Sequence, residues 1–418
     1  MTNPSGLNAS ANPTSSLSGD DSPMMRGVYE NWHQWHRVQH GDGCLAALAS
    51  ELRRLRIRRP FVMTTRSLAQ SDLVELVRDA CGVAVVGQFS ASVPHTPRET
   101  VLAAAAAVRA ANPDGLVSFG GSTVVDTTKG VVLAAAAGIR QAADFDRWTQ
   151  EAHPSSKLDD AVLPHVALPT TLSGAEYSRD IGVTDEVLRK KQIFRYDAVS
   201  PQSILLDPQL TAATPARLWA ATGVKVMSDA IEQLYSRSSH PVIDALCVAA
   251  VRAFSAELPH SFDADAHRRM RARLRCQLAS WQTLFGMHNA GTRVGIGGAL
   301  RHQLGGMFRI PHGEATCVML PHLLRYNFQA VPDRYAALAE ALQIADGGND
   351  QGRIEAIVAH VGKLIDALGL PTRLAPLGVT RDDLPALAAH VMEERSLAFN
   401  PRPVASAREI VELLEAAL

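Results

Sequence analysis

Residues 118–130, SFGGSTVVDTTKG, constrain this chain more than any other stretch. Val117-Ser118-Phe119 closes an apolar run of the kind that forms a buried strand. Gly120-Gly121 then allows a tight turn, Ser122-Thr123 can cap a helix, and Val124 to Ala137 reads as that helix. A strand, a glycine turn and a helix N-terminus point free N–H groups and the positive end of a helix dipole at one spot, where a phosphate is readily held. A plain βα turn satisfies the same local pattern, so the surrounding sequence has to decide.

That surrounding sequence alternates from about residue 36 to 210. Arg59–Thr64, Val83–Phe89, Leu116–Phe119, His165–Leu168 and Ser203–Leu206 read as strands, and Leu68–Cys81, Arg98–Ala111 and Val124–Ala137 as helices. Such alternation predicts a mostly parallel sheet covered on both faces, with ligands beyond the C-terminal strand ends, where the glycine turn lies. After Pro208 the period changes to 3.6 residues over 215–237, 241–258, 265–303, 331–343, 351–368 and 405–418, which predicts an all-helical C-terminal domain. The expected organisation is a disordered tail over 1–27, an α/β domain over 28–208 and a helical domain over 209–418, with the boundary at Asp207-Pro208.

Composition narrows the function classes. With 418 residues and 46% hydrophobic content the chain can bury two cores. A net charge of −1 gives no reason to expect nucleic acid or an anionic membrane as partner. The five cysteines form no CxxC pair, which points to reduced thiols and a cytoplasmic protein. The Ala-rich runs 102–111 and 131–137 are too short to span a bilayer and are broken by Arg109, Asn112-Pro113 and Gly138. The first residues lack the basic start and apolar centre of a signal peptide.

Three further segments carry chemistry. In Leu168–Ser178, LPTTLSGAEYS, Thr170, Thr171 and Ser173 supply hydroxyls around Gly174; such a loop can bind a nucleotide or satisfy its own backbone. In Gly223–Ser236, GVKVMSDAIEQLYS, Lys225 and Asp229 share a helix face, either as a surface ion pair or as a pair facing a cleft. Residues 301–327, RHQLGGMFRIPHGEATCVMLPHLLRYN, place His302 on a helix ending at Gly305-Gly306 and His312 at a loop-to-helix junction, with His322 beside a proline. His302 and His312 can converge on one metal or one substrate oxygen. Trp281, Phe285, His288 and Asn289 have the spacing of pocket-wall residues and equally of ordinary core.

Taken in order, GGSTVVDTTKG, PTTLSGAE, GVKVMSDAIEQLYS and RHQLGGMFRIPHGEATCVMLPHLLRYN resemble the iron-containing (group III) alcohol dehydrogenase family over roughly residues 36–418. SVPHTPRE and the SGAE after PTTL resemble its maleylacetate reductase branch. The resemblance implies a dinucleotide-binding α/β domain, a helical domain, a cleft between them, a small-molecule substrate and a homodimer. It implies that Gly120, Gly121 and Ser122 hold a pyrophosphate, that Thr170, Thr171 and Leu172 contact the adenosine and nicotinamide portions, and that Lys191 reaches the cofactor ribose. Asp126 and Lys129 fall in the same matched segment. Members that prefer NAD often carry an acidic residue after the first strand. Here Met63-Thr64-Thr65-Arg66 has none, and Arg66 is suited to a 2′-phosphate, so the cofactor is NADP or NAD with a lean towards NADP.

The metal-ligand pattern departs from the family. Its first two positions fall on Lys225 and Asp229, its third on Gly298 and its fourth on His312; His302 matches a histidine near the metal. An ammonium cannot ligate a cation, so the sequence argues against a catalytic iron or zinc. The resulting expectation is a metal-independent NAD(P)H-dependent reductase of a small oxo-acid or enone. In it Lys225 replaces the metal as electrophile, Asp229 holds Lys225, and His302 or His312 donates the proton. The alternatives are a metal-dependent alcohol dehydrogenase, a redox-silent relative running a lyase, isomerase or condensation step, and, least favoured, a non-catalytic binding protein.

Overall fold

Each short apolar run in the first half of the chain becomes a strand, and each amphipathic stretch between them a covering helix. The computed structural model describes residues 27–30, 37–155, 157–158, 162–188, 190–345 and 349–418. The expected tail, apart from Gly27, lies outside them. Nine strands are formed among the described residues: β1 (Gly27–Glu30), β2 (Arg37–His40), β3 (Pro60–Met63), β4 (Gly87–Phe89), β5 (Gly115–Gly120), β6 (His165–Pro169), β7 (Asp180–Asp185), β8 (Lys190–Arg195) and β9 (Ser203–Leu206). Seven pair in the order β1-β2-β9-β6-β5-β3-β4, all parallel except β1, which runs antiparallel to β2.

The period of two along each strand feeds both faces of this sheet. Phe61, Met63 and Leu116 pack with Val101, Val124 and Val131 from the helices Arg98–Ala111 and Ser122–Ala136. Val62, Val117 and Phe119 pack on the other face with Leu52, Val74 and Val77. β5 lies between β3 and β6, so the turns that leave these three strands stand side by side at one edge.

Helices dominate after Asp207 and build two cores joined by one shared element. Helix His312–Phe328 turns Cys317, Leu320 and Leu324 towards helices Ala216–Tyr235, Pro241–Glu257, Ala266–Phe285 and Asp350–Ala367. Its opposite side, Ala315, Val318 and Leu323, packs with helices Ile296–Phe308, Leu384–Met392 and Ala407–Ala417. An apolar residue on both sides of every turn is what a helix buried between two layers requires.

Several local expectations need correction. The single helix over Leu68–Cys81 is two, Arg66–Ala69 and Asp72–Ala80: the backbone turns extended at Ser71, whose hydroxyl donates back to Leu68 O (2.7 Å). The strand over Val83–Phe89 shortens to Gly87–Phe89. The long segment 265–303 breaks after Phe285 into one widened turn, Gly286–Ala290, and a bend at Gly291 (φ 71°) before helix Ile296–Phe308 begins. The hairpin β7–β8 was not foreseen. Gly121, not Ser122 or Thr123, is the N-cap of helix Ser122–Ala136. The helix carrying His302 runs past Gly305-Gly306 to Phe308.

Lys129 ties the glycine-turn helix to the loop before β7. It is fully buried, and its ammonium donates to the carbonyls of Ala175 (3.0 Å), Ser178 (3.2 Å) and Asp180 (2.7 Å) and pairs with Asp126 at 2.9 Å. This ammonium therefore closes the loop against the helix. Lys129→Met takes this donor from the Ser178 and Asp180 carbonyls and from the Asp126 carboxylate, while Ala175 O keeps the Ser178 N–H (3.2 Å), an expected loss of about 3 kcal/mol. The check is the midpoint of denaturant unfolding at unchanged slope.

Candidate active site

The glycine turn is built by close packing rather than by a cap. A Cβ at Gly120 would sit 2.4 Å from Val124 Cγ2, and one at Gly121 would sit 2.8 Å from Thr171 Cγ2. Only glycine lets the β5 and β6 turns touch while the first N–H groups of helix Ser122–Ala136 stay uncovered. Ser122 is part-exposed there. Thr170 and Thr171 are nearly buried; the Thr170 N–H donates to Gly120 O (3.1 Å), and the Thr171 and Ser173 hydroxyls bond each other (2.8 Å). Arg66 is exposed at the first position of the helix after β3, while Thr64 is buried and donates to Phe119 O (2.8 Å). These residues form a cradle suited to a dinucleotide. Leu172 lies elsewhere: its side chain is fully buried in the helical core, and its carbonyl accepts from Ser280 (2.8 Å).

Leu172 thereby docks the helical layer against the end of β6. A Cβ at Gly223 would lie 3.1 Å from Leu172 Cδ1, so helix Ala216–Tyr235 passes directly beneath the loop. Its spacing puts Lys225, Asp229 and Glu232 on one face. Lys225 Nζ lies 2.7 Å from Asp229 Oδ2, with 17% of the lysine side chain exposed and none of the aspartate. Arg301, which the sequence reading missed, approaches from helix Ile296–Phe308 and sets Nη2 2.7 Å from Asp229 Oδ1. Burial alone would raise the Asp229 carboxyl, but Arg301 and then Lys225 outweigh it and hold it below the usual range. Glu232 accepts from the N–H groups of Gly295 (3.0 Å) and Gly297 (3.1 Å), and burial pushes its carboxyl up to about 7.

Two histidines stand close together beyond this pair, and His288 and a third buried carboxyl, Glu176, lie within the field of Lys225. The His302 and His312 rings lie 5.5 Å apart. His302 is half exposed, with Nδ1 3.7 Å from Glu394 Oε1. His312 rests on Gly305, where a Cβ would come within 3.0 Å of its ring. Burial, then the charges of His302, Lys191, Arg301 and Lys225, hold His312 well below its usual range, so it is neutral at pH 7. His288, on the widened turn, is likewise lowered to about 3, by burial against the pull of Asp180 and with help from Lys129 and Lys225. Glu176, from the SGAE segment, is pushed up to about 7 by burial, with Lys129 and Lys225 acting the other way. Lys225 is thus felt by Glu176, His288 and His312, which come from three other segments. Trp281 and Phe285 pack into cores, Trp281 stacking on Tyr177 at 6.5 Å.

The residues present do not fit an iron or zinc ion at the matched positions. Among the described residues no three His, Cys, Asp or Glu side chains converge in a way that could hold a metal. Both Asp229 oxygens face a cation, and the direction a side chain at 298 would take is filled by Val294 (2.7 Å) and edged by Arg301 Nη2 (3.9 Å). His312 is the one matched position that keeps a metal-ligand histidine. Structural zinc sites take four ligands and catalytic ones at least three.

A glycine turn at the C-terminal edge of a parallel sheet, backed by a charged helical layer, is the kind of site at which α/β enzymes bind dinucleotides. The chain belongs to the iron-containing alcohol dehydrogenase family and is an oxidoreductase: residues 36–208 match the iron-containing alcohol dehydrogenase description, and 219–418 the C-terminal part of the same family. It is 30% identical to a maleylacetate reductase of Sphingobium indicum over 92% of this chain and 95% of that one. To an NAD-dependent methanol dehydrogenase of Bacillus methanolicus it is 26% identical over 90% and 97%. A solved 1,3-propanediol oxidoreductase superposes with a TM-score of 0.82 at 26% identity, over 95% of this chain and all of that one. No helix among the described residues is long and apolar enough to cross a membrane.

The raised Glu232 carboxyl sets a pH dependence of stability. Its folded pKa of about 7 lies above the ordinary 4.5, so the folded state binds the extra proton. The stability this proton contributes is full below about 4.5 and is lost as pH rises through 7. The unfolding free energy of Glu232→Gln relative to the parent should therefore move in the variant's favour between pH 5 and pH 8. Denaturant titrations at the two pH values measure this, and a constant difference would contradict it.

Proposed function

We propose that this chain is a metal-independent NAD(P)H-dependent reductase of a small oxo-acid or conjugated enone. The observation that carries the reading is the buried Asp229 carboxylate shared by Lys225 and Arg301 where relatives place metal ligands. The similarity to a maleylacetate reductase supports a substrate that is both electron-poor and acidic. The cradle at Gly120, Gly121, Ser122, Thr170 and Thr171 suits the cofactor's phosphates.

When bound, the nicotinamide supplies a hydride to the electron-poor carbon. Lys225 stands where negative charge develops on the substrate oxygen. Its ammonium is fixed by Asp229 on one side and open on the other, so it meets that charge without reorganising. Asp229 holds the Lys225 side chain in place, because swinging it away would leave a buried carboxylate short of one partner. His302 is the proton donor of this scheme: it is accessible and has Glu394 beside it, whereas His312 is held neutral. Arg66, exposed after β3, supports NADP over NAD.

Glu176, pushed up to about 7 beside Lys225, favours a second reading. A carboxyl titrating near neutrality next to an ammonium can shuttle a proton for isomerisation or condensation without net reduction. The stoichiometry of nicotinamide absorbance against product separates the two: one equivalent consumed per product supports reduction, and none consumed supports the other.

Lys225→Met removes the charge and keeps most of the stem. It should lower kcat about 10²- to 10³-fold with the dinucleotide Kd unchanged. Turnover within a few-fold of the parent, at intact cofactor binding, would remove Lys225 from the chemistry.

A further inference from the structure

Two helices present rows of residues to one another across Asp229. On helix Ala216–Tyr235 the row is Ala221, Lys225, Asp229 and Glu232; on helix Ile296–Phe308 it is Gly297, Arg301 and Gly305. The contacts follow in reverse order along the two rows. A Cβ at Gly297 would lie 2.3 Å from Glu232 Oε1. Arg301 Nη2 reaches Asp229 Oδ1 at 2.7 Å, and its Nη1 stands 3.8 Å from Glu232 Oε1. A Cβ at Gly305 would touch the His312 ring at 3.0 Å, and one at Gly313 would lie 2.7 Å from Ala221 O. The 312–313 junction is therefore seated one turn from Arg301 along one row and one turn from Lys225 along the other. Glycines flank Arg301 in its row, so its side chain alone reaches from there into the space between.

The positions that match a metal-ligand set, 225, 229, 298 and 312, are thus gathered about one guanidinium. Lys225 takes the other Asp229 oxygen at 2.7 Å, and a Cβ at 298 would lie 3.9 Å from Arg301 Nη2. The charges match as well. A divalent ion on a single carboxylate leaves one positive charge in excess, and Asp229 between Arg301 and Lys225 leaves the same excess. The two cations divide the work. Arg301, with 5% of its side chain exposed, neutralises the carboxylate from the buried side, and Lys225, with 17% exposed, carries the excess towards the cleft. An ion entering here would meet both oxygens already taken and a like charge in its path.

We propose that Arg301 is the residue that bars a metal ion from this site: its guanidinium stands in the ion's place and holds the Asp229 oxygen that an ion would need. The inference rests on the metal-independent part of the reading above and on nothing in the choice of substrate.

Lys225→His supplies a third donor beside Asp229 and His312, the fewest that a catalytic zinc site uses. It is made alone and together with Arg301→Gln, and both proteins are titrated with Zn²⁺ by equilibrium dialysis and with Co²⁺ by its visible absorption. With Arg301→Gln added, about one equivalent per chain should bind, and about tenfold or more tighter than with Arg301 kept. Equal uptake by the two proteins overturns the inference. So does no uptake by either, since something other than Arg301 then bars the ion. Fluorescence titration with NADH shows that each variant is folded. Lys225→Asp with Asp229→His, again with and without Arg301→Gln, is the second pair should the first misfold, and it is read in the same way. The parent is the reference. A full equivalent of zinc in the parent would end the metal-independent reading itself, whereas a zinc-free parent with variants that behave alike ends this inference alone.

Discussion

The site depends on one buried carboxylate. Asp229 has no solvent-exposed surface, and an isolated aspartate there would take up a proton rather than stay charged. It stays ionised because Lys225 and Arg301 each reach one oxygen at 2.7 Å. The arrangement has two cations for one anion, with Glu232 beside it pushed towards its neutral form. The surplus is positive, and Lys225 carries it on the side that opens to the cleft. In a low-dielectric site such a fixed charge acts on a nascent oxyanion far more strongly than it would in water.

The scaffold brings this charge to the cofactor turns by packing alone. Leu172 leaves the end of β6 and enters the helical core, so the loop that faces the cradle and the helix that bears Lys225 are braced against one another. Lys129 does the same from the other side, closing the 174–180 loop onto the glycine-turn helix. Gly297 lets helix Ile296–Phe308 approach helix Ala216–Tyr235 closely; a Cβ there would strike Glu232 at 2.3 Å. That approach delivers Arg301 to Asp229.

Much of this was legible in the sequence, and the reasons differ by residue. Helix Arg98–Ala111 was read with its observed ends because Pro97 opens it and Asn112-Pro113 closes it. The Lys225–Asp229 contact follows from spacing on one helix. Arg301 was not legible, because its meeting with Asp229 depends on how two helices cross rather than on any local pattern. The only available signal was negative: the glycine at 298 carries no ligand side chain, and the space beside it is taken by Val294 and edged by Arg301. The β7–β8 hairpin was missed because KKQIFR is charged at its start and turns only part of its length inward. The break near Phe285 was signalled by Asn289-Ala290-Gly291, which the surrounding 3.6-residue period masked.

The most direct measurement of the central claim is metal content set against activity. Protein purified without chelator is assayed for iron and zinc, and its reduction rate is compared before and after exhaustive chelation. If the lysine charge has replaced the ion, metal will be well below one equivalent per chain and the rate will be unchanged. A full equivalent of iron or zinc, with activity that vanishes on chelation and returns on reloading, would contradict it.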